Sequence, residues 1–282
     1  VGTLAATGKY VIYVDPDDWV DVDICNKIDV LLKNQDVDIV QYGIATEQPN
    51  SSISAEYVKS IQQFFDSKMV NVIHGGNEAL LQHCFLTNKL PWNNCGKAIR
   101  STIAKDAFSR MPDIKCNFAE DQIAMFYIFS FSKTLLNIKD HNYHYRLGTG
   151  ISTQQKETIA KFDDLLGCFV LYDQLKTFVS KFFVPTNEIA NNSLLAIHHS
   201  MMDNMWKRII HNAEKDDIDL WLSHWCEKAS SLAVVKYLIQ QFVPDSTELS
   251  DALRNKVSSL EQKVKKRLKT IRTLIWLSSL LL

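Results

Sequence analysis

Tyr10-Val11-Ile12-Tyr13-Val14-Asp15-Pro16-Asp17-Asp18-Trp19 is the stretch from which the rest of the chain is read. Val11, Ile12 and Val14 are β-branched within an unbroken apolar run. A run of this kind predicts a strand buried on both faces, as in the parallel part of an α/β sheet. Pro16 has no N–H to give to a ladder, so the strand is expected to stop at Asp15. Ligands of open α/β sheets sit beyond the carboxyl ends of strands, where these three acids fall. Asp15 and Asp17 flank the proline and can turn their oxygens toward one hard cation, Mg²⁺ or Mn²⁺. The same residues also make ordinary turn chemistry, and Asp18 before Trp19-Val20 can N-cap a following helix. Spacing alone leaves both readings open.

The 282 residues allow one large domain with an appendage, or two smaller domains. An apolar content of 46% and a charged content of 22% are those of a soluble protein with a core. With 31 Lys and Arg against 32 Asp and Glu, the chain as a whole has no nucleic-acid signature. Its 6 cysteines are scattered without a C-x-x-C pair, which predicts reduced, mostly buried thiols in a cytosolic setting. The opening residues carry no signal-peptide pattern, and no apolar window is long enough to span a bilayer.

Beyond the acidic turn, Val20, Ile24, Ile28, Leu31 and Leu32 recur at helical spacing, and Val37 to Gly43 is a second strand candidate. Strand, helix and strand together predict a βαβ unit and a parallel sheet. A polar loop from Gln48 to Ser54 precedes a helix over Ala55 to Asp66. A short strand at Lys68 to Ile73 ends at Gly75-Gly76, and a helix follows over Asn77 to Leu86. Leu90 to Arg100 reads as a loop running into a strand or short helix. Glu120-Asp121 precede the apolar run Ile123 to Phe131, and helix capping alone accounts for acids in that position. Leu135 to Ile138 and Tyr143 to Arg146 are two further strand candidates. From about residue 150 the pattern becomes all-helical, over Ile159 to Phe183, Ser193 to His211 and Ile218 to Phe242. The predicted organisation is therefore a mixed α/β region at 1–150, a helical region at 151–245, and a last helix at 246–282.

In that last segment Leu249, Leu253, Val257, Leu260, Val264 and Leu268 follow an eleven-residue repeat, which favours a nearly straight helix. Its other faces are basic, and Trp276 lies in an apolar end. A basic amphipathic helix of this kind predicts attachment to a membrane surface, with packing or self-association as the alternative.

His141-x-x-His144 and His198-His199 have no cysteine or acid at zinc-ligand spacing beyond Asp140. G-x-x-x-x-G-K, G-x-G-x-x-G and G-x-S-x-G are absent, which weakens kinase, dehydrogenase and serine-hydrolase readings. Two separated acidic sites remain, Asp15-Pro16-Asp17-Asp18 and Glu120-Asp121. A metal-holding cluster plus an isolated carboxylate suits displacement at a phosphate-linked substrate, the metal offsetting the charge of the departing diphosphate while the carboxylate takes a proton.

Ala6-Thr7-Gly8-Lys9-Tyr10 through Trp19 resembles the A-x-G-K-Y-I-x-F-L-D-x-D-D-W stretch of family 2 glycosyltransferases with the GT-A fold. The downstream order is also similar: Trp92-Asn93, Gly96-Lys97 to Arg100, Glu120-Asp121, then Tyr143-x-Tyr145-Arg146 with Ser152 close behind. The resemblance covers the first half of the chain only. It implies a partial GT-A (Rossmann-like) mixed sheet, followed by the all-helical C-terminal region. The nucleotide-binding half with which family members begin has no counterpart ahead of Val1, so a partial catalytic domain is expected.

By this resemblance Asp15 and Asp17 match the motif for the metal, Mg²⁺ or Mn²⁺, and for the nucleotide diphosphate, with Asp18 beside them. Asp121, or alternatively Glu120, matches the general base of an inverting transfer. Trp92 and Lys97 fall on the acceptor side. The implied enzyme is a hexosyltransferase-type glycosyltransferase taking a UDP-sugar or other nucleotide-sugar to a hydroxyl of a surface-glycan or lipid-linked acceptor. Its expected place is the cytoplasm, peripheral at the inner face of the membrane through 246–282. The Q-x-x-R-W motif of processive synthases is missing. A non-catalytic membrane-associated scaffold of the same fold is the competing reading. A strand-D-x-D phosphatase fits poorly, because Trp19 stands where a small hydroxyl residue belongs.

Overall fold

The computed structural model of the chain describes residues 2–48, 53–69, 72–148, 158–213 and 217–242. Asp18 and the residues before it already show how the fold departs from a simple βαβ unit. After a short helix α1 (Gly2–Ala5), β1 spans only Tyr10–Ile12, and Trp19–Val20 form a second short strand, β2, where a helix start was expected. Helix α2 begins later, at Ile24–Leu32, and buries Ile24 and Ile28. The central strand β3 (Ile39–Glu47) follows, then α3 (Ala55–Asp66) and β4 (Val72–His74). Helix α4 (Gly76–Leu81) continues into one π-helical stretch over Gln82–Leu86. Strand β5 (Lys97–Arg100) leads straight into α5 (Ser101–Arg110), a helix for which the sequence carried no clear apolar stripe.

Helix α6 (Glu120–Phe131) is apolar all round and has nine consecutive buried residues, Gln122 to Ser130. A helix of that composition belongs in the middle of a structure. It leads into β6 (Thr134–Arg146), one long strand where the sequence predicts two. The two segments merge because β6 bulges past Gly43. Tyr42 pairs with Ile138, Gly43 with His141 and Ile44 with Tyr143, so β6 carries extra residues there. Gly43 is required at that point: a Cβ on it would stand 2.9 Å from Cδ2 of His141.

These strands form a six-stranded mixed sheet among the described residues, in the order β1-β5-β3-β6-β2, with β4 also beside β6. The expected α/β class with a mixed sheet and following helices is the one adopted. Two local expectations are corrected. First, β1 is an antiparallel edge strand of intermediate burial, paired only with β5. Its apolar run is satisfied partly by Tyr13 packing on Phe108 of α5, with ring centroids 6.0 Å apart, so burial on both faces is not needed. Second, β1 and β3 run in the same direction but are separated by the antiparallel β5. The crossover through α2 therefore skips one strand position, and among the described residues the one parallel pair is β3 with β6.

At the start of β3, Asp38 ties three strands together. Its carboxylate accepts from Nε of Arg100 at 3.2 Å and from the backbone N–H groups of Lys133 and Thr134 at 2.7 and 3.2 Å. The core on the α2 side comprises Ile24, Ile28, Val40, Tyr42, Ala98 and Tyr143 with their neighbours. Each large side chain fully buried there contributes about 1.5–3 kcal/mol.

By compactness the chain divides between Ser231 and Leu232. Within the first unit, α7 (Ile159–Leu165), α8 (Gly167–Phe182), α9 (Glu188–Asn212) and α10 (Ile218–Ala229) follow the sheet. Residue 150 therefore marks a change of element type, while α8 packs on α6 and α9 packs on α4. Phe178 of α8 packs tilted on Tyr127 of α6 and Phe182 packs edge-on against Phe131, at centroid distances of 4.4 and 4.9 Å. The single helix expected over 159–183 breaks at Gly167, where a Cβ would stand 3.1 Å from the carbonyl oxygen of Lys115. The one expected over 218–242 breaks at Ser230, with φ of 71°. In the second unit the described residues belong to α11 (Ser231–Phe242). The basic segment 246–282, Ser152 and Gly150 lie outside the described residues. Among the described residues, no helix is long and apolar enough to cross a membrane.

Candidate active site

The sheet topology itself brings the acids together. β1, β3 and β6 point the same way, so their carboxyl ends and the amino end of β5 share one end of the sheet. Residues 13–18 must cross that end, from Ile12 beside β5 to Trp19 on the far flank of β6. Four strand spacings are about 19 Å, and the intervening residues reach about 24 Å when extended. Little slack remains. A turn closed by the N–H of Asp18 on the carbonyl of Asp15, at 3.1 Å, takes it up, with Pro16 at the position such turns favour.

β6 fixes this crossing. The hydroxyl of Tyr143, whose ring is fully buried, accepts from the backbone N–H of Asp15 at 3.2 Å and donates to Oδ2 of Asp18 at 2.7 Å. The other oxygen of Asp18 accepts from the backbone N–H of Arg146 at 2.8 Å. Both carboxylate oxygens of Asp18 are thus engaged in holding the segment. Beside it His144 stacks on Trp19 at 5.0 Å with planes 4° apart, and the Arg146 guanidinium sits 5.3 Å from the Trp19 ring centre. The two imidazole nitrogens of His144 face Glu47 at 2.8 Å and Asp21 at 2.9 Å. Burial alone would lower the His144 pKa, but these two carboxylates outweigh it and the net shift is upward.

Glu120 and Asp121 arrive at the same end of the sheet on the first turn of α6. Ala119 precedes them in the left-handed region, φ 60°, a conformation costing an alanine about 1–2 kcal/mol. That kink turns the chain into α6 with the two acids leading, where the helix N-terminus favours negative charge. Asp121 is gripped by the loop before β5. Its Oδ1 accepts from Nδ2 of Asn94 at 2.7 Å and its Oδ2 from the Asn94 backbone N–H at 3.2 Å. Lys97 supports that loop from beneath, fully buried, with Nζ donating to the Asn93 carbonyl at 2.5 Å. Its side chain therefore serves the loop and does not open toward an acceptor. Trp92, on the same loop, is 39% exposed.

The carboxylates feel one another. The Asp15 pKa is raised by burial and then by Asp121, Asp18 and Asp17. Glu120 is raised by burial, with Asp15 adding to it. Burial pushes Asp121 up to about 6; the bond from the Asn94 N–H works against that, Glu120 adds to it and Lys97 opposes it. Burial also brings Lys97 down to about 8. Beyond burial, Asp15, Asp18, Glu120 and Asp121 are thus each raised by a neighbouring acid, Asp17 among those neighbours, with Lys97 and Arg146 the opposing charges. Among the described residues no group of three or more metal-type side chains is assembled. Two carboxylates such as Asp15 and Asp17 suit Mg²⁺, commonly held by one or two carboxylates with the rest of its shell from water and substrate phosphates.

Two cavities lie elsewhere. One of about 10 Å³ is lined by residues including Gln41, Tyr42, Cys95 and Lys97. A cleft of about 380 Å³ between His74, Asn77 and the Ser130–Thr134 turn lies at the opposite end of the sheet and contains none of the acids.

The fold is that of a GT-A-like glycosyltransferase. The crystal structure of S. aureus TarS 1–349 in complex with UDP-GlcNAc is similar to this chain with a TM-score of 0.50 at 12% identity, covering 84% of this chain and 59% of that one. A second crystal structure of S. aureus TarS 1–349 gives 0.50 at 11% identity, with 82% and 59% covered. The chain thus spans about three fifths of the length of the structures it matches. No protein-family model and no curated protein matches it.

Proposed function

We propose that this chain carries the catalytic end of a metal-dependent inverting glycosyltransferase that uses a nucleotide-sugar, of the UDP-sugar class, as donor. The observation that carries this reading is the meeting of two acidic groups from distant parts of the sequence at one end of a glycosyltransferase-like sheet. Asp15 and Asp17 would hold Mg²⁺ or Mn²⁺, which when bound supplies positive charge against the donor diphosphate. Asp121 accepts the proton of an acceptor hydroxyl. That oxygen attacks the anomeric carbon from the face opposite the leaving group, and the bond from carbon to phosphate oxygen breaks with its electron pair on the diphosphate. A carboxylate raised to about 6 is well matched to this task near neutral pH, being both ionised and basic. Glu120, on the same turn, adds to the negative potential and is the alternative base. Asp18 would position the metal segment, and Trp92, exposed on the loop before β5, would offer a ring face to a sugar acceptor. We assign the acceptor to surface-glycan or lipid-linked precursors, with 246–282 keeping the enzyme at the inner face of the membrane.

Isothermal titration with Mn²⁺ and UDP tests the reading. The wild type should bind UDP only with Mn²⁺ present, and Asp17→Asn should lose that binding. Unchanged Mn²⁺ affinity in Asp17→Asn would refute the role given to Asp17. No heat from the wild type with either would favour the non-catalytic scaffold reading.

A further inference from the structure

We propose that Asn94 is the positioning residue for Asp121, and that the buried ammonium of Lys97 locks the loop from which Asn94 acts. This rests on the glycosyl-transfer reading only for the use made of Asp121; the grip itself is geometric. An aspartate carboxyl normally turns easily about its last bond, because that torsion is broad. Here one residue supplies a donor to each oxygen, the side-chain amide at 2.7 Å and the backbone N–H at 3.2 Å. Held at both oxygens, the group can offer its remaining lone pairs in one direction only.

Asn94 is itself constrained. Turning its amide over would set Oδ1 against a carboxylate oxygen, so the observed orientation follows from the charge of Asp121. Oδ1 is buried and has no hydrogen-bond partner. Such an atom loses its hydration without return, a cost that packing alone does not explain. The neighbouring residues show the same concern with rigidity. Asn93 donates through Nδ2 to the carbonyl and the thiol sulfur of Cys95, both at 2.8 Å. Lys97 donates to the Asn93 carbonyl from a position with no solvent contact. A left-handed Gly96, φ 68°, closes the loop where a Cβ would press on Ile44 at 3.0 Å. The loop is therefore a fixed mount, set by the first residue of β5.

The charged and titratable groups that face Asp121 come from three sides: Glu120 on α6, Asp15 after β1, and Lys97 with Cys95 on the mount. Among the described residues Asn94 donates both hydrogen bonds that the Asp121 carboxylate accepts, and losing the side-chain one leaves that charge less supported beside Glu120 and Asp15. The test is a ¹³C titration of the Asp121 carboxyl in the metal-free protein, the resonance assigned by its loss in Asp121→Asn. Asn94→Ala keeps the backbone donor and should raise the midpoint by about one unit; Asn94→Asp should raise it further. In release of UDP from UDP-GlcNAc into water, Asn94→Ala should lower kcat about 10-fold or more with KM for the donor unmoved, and the acid limb of kcat should follow the carboxyl upward. An unmoved midpoint in folded Asn94→Ala overturns the proposal. Should that variant fail to fold, Asn94→Ser takes its place, with a smaller rise expected and no rise again decisive. If the wild type releases no UDP at all, the transfer reading fails, while the carboxyl titration still decides on Asn94.

Discussion

Replacing Tyr143 with phenylalanine removes one oxygen atom from a fully buried ring and should loosen the whole acidic crossing. That oxygen accepts from the Asp15 N–H and donates to Oδ2 of Asp18. The first bond joins two neutral groups and is the weaker of the two. The second is a bond to a charged group in a half-buried position, worth about 1.5–3 kcal/mol net. We therefore expect a loss of about 2 kcal/mol, which for a unit of this size lowers Tm by about 4–8 °C. The other outlet for the same energy is local: the turn from Asp15 to Asp18 opens without global unfolding, and Mn²⁺-dependent UDP affinity falls by about tenfold or more. Thermal unfolding and isothermal titration on the same samples separate the two outlets. A double-mutant cycle with Asp18→Ala isolates the pair. Residues sharing a hydrogen bond couple by about 0.5–3 kcal/mol, whereas independent ones add. Strict additivity, or a Tyr143→Phe variant unchanged in both Tm and UDP affinity, refutes the claim that β6 holds the acids through this hydroxyl.

Two further outcomes follow from the same region. His144 has a folded pKa above its ordinary value, so its bonds to Glu47 and Asp21 contribute fully below about pH 6.5 and are lost as pH rises through the elevated folded value. The Tm difference between wild type and His144→Gln should accordingly be largest near pH 6 and shrink toward pH 9; a difference that stays constant over that range removes the imidazolium from the account. Gly43→Ala should destabilise by about 1–3 kcal/mol, since its Cβ would meet His141 side chain and backbone at 2.9–3.1 Å. Denaturant unfolding measures this, and wild-type stability would show that the bulge can shift to make room.

How much of this was legible depends on whether a residue's role is local. The apolar run ending at Pro16, the apolar periodicity of α2, and the change to helices after β6 are read over windows of a few residues, and they appear where the chain order predicts. The insertion of β5 between β1 and β3 is not local: Tyr-Val-Ile pairing with Ala-Ile-Arg is one β-rich tripeptide beside another, and either could have taken a different neighbour. Trp19–Val20 read as a helix start because Ile24 and Ile28 follow at helical spacing, yet Tyr143, His144 and Arg146 draw those two residues into the sheet. Helix α5 escaped because its buried positions, Ser101, Ile103, Ala104 and Ala107, are mostly small. Asn94 in Pro-Trp-Asn-Asn reads as turn chemistry, and nothing near it in the sequence points to an acid 27 positions away. The acceptor-side place of Lys97 came from the family resemblance alone; its burial rests on the bond to the Asn93 carbonyl, which no short window of sequence reveals.

The order of short motifs along the chain has a mechanical meaning. The first and last of them, Asp15 to Trp19 and Tyr143 to Arg146, are 128 positions apart at the Asp15–Tyr143 and Asp18–Arg146 bonds, yet they form one piece of structure. The Tyr143 hydroxyl and the Arg146 N–H hold the acidic turn, while His144 and Arg146 both pack on Trp19. Neither stretch has a defined geometry without the other, because a crossing segment with so little slack can place its acids only where β6 stops it. Asp121 is mounted separately, through Asn94 and Lys97 on the β5 side. The two acidic groups are thus held by two separate sets of bonds, one from β6 and one from the loop before β5. A perturbation of β6 should weaken metal and donor binding first, and one of the β5 mount should weaken proton transfer first, so the two classes of variant ought to separate in KM and kcat.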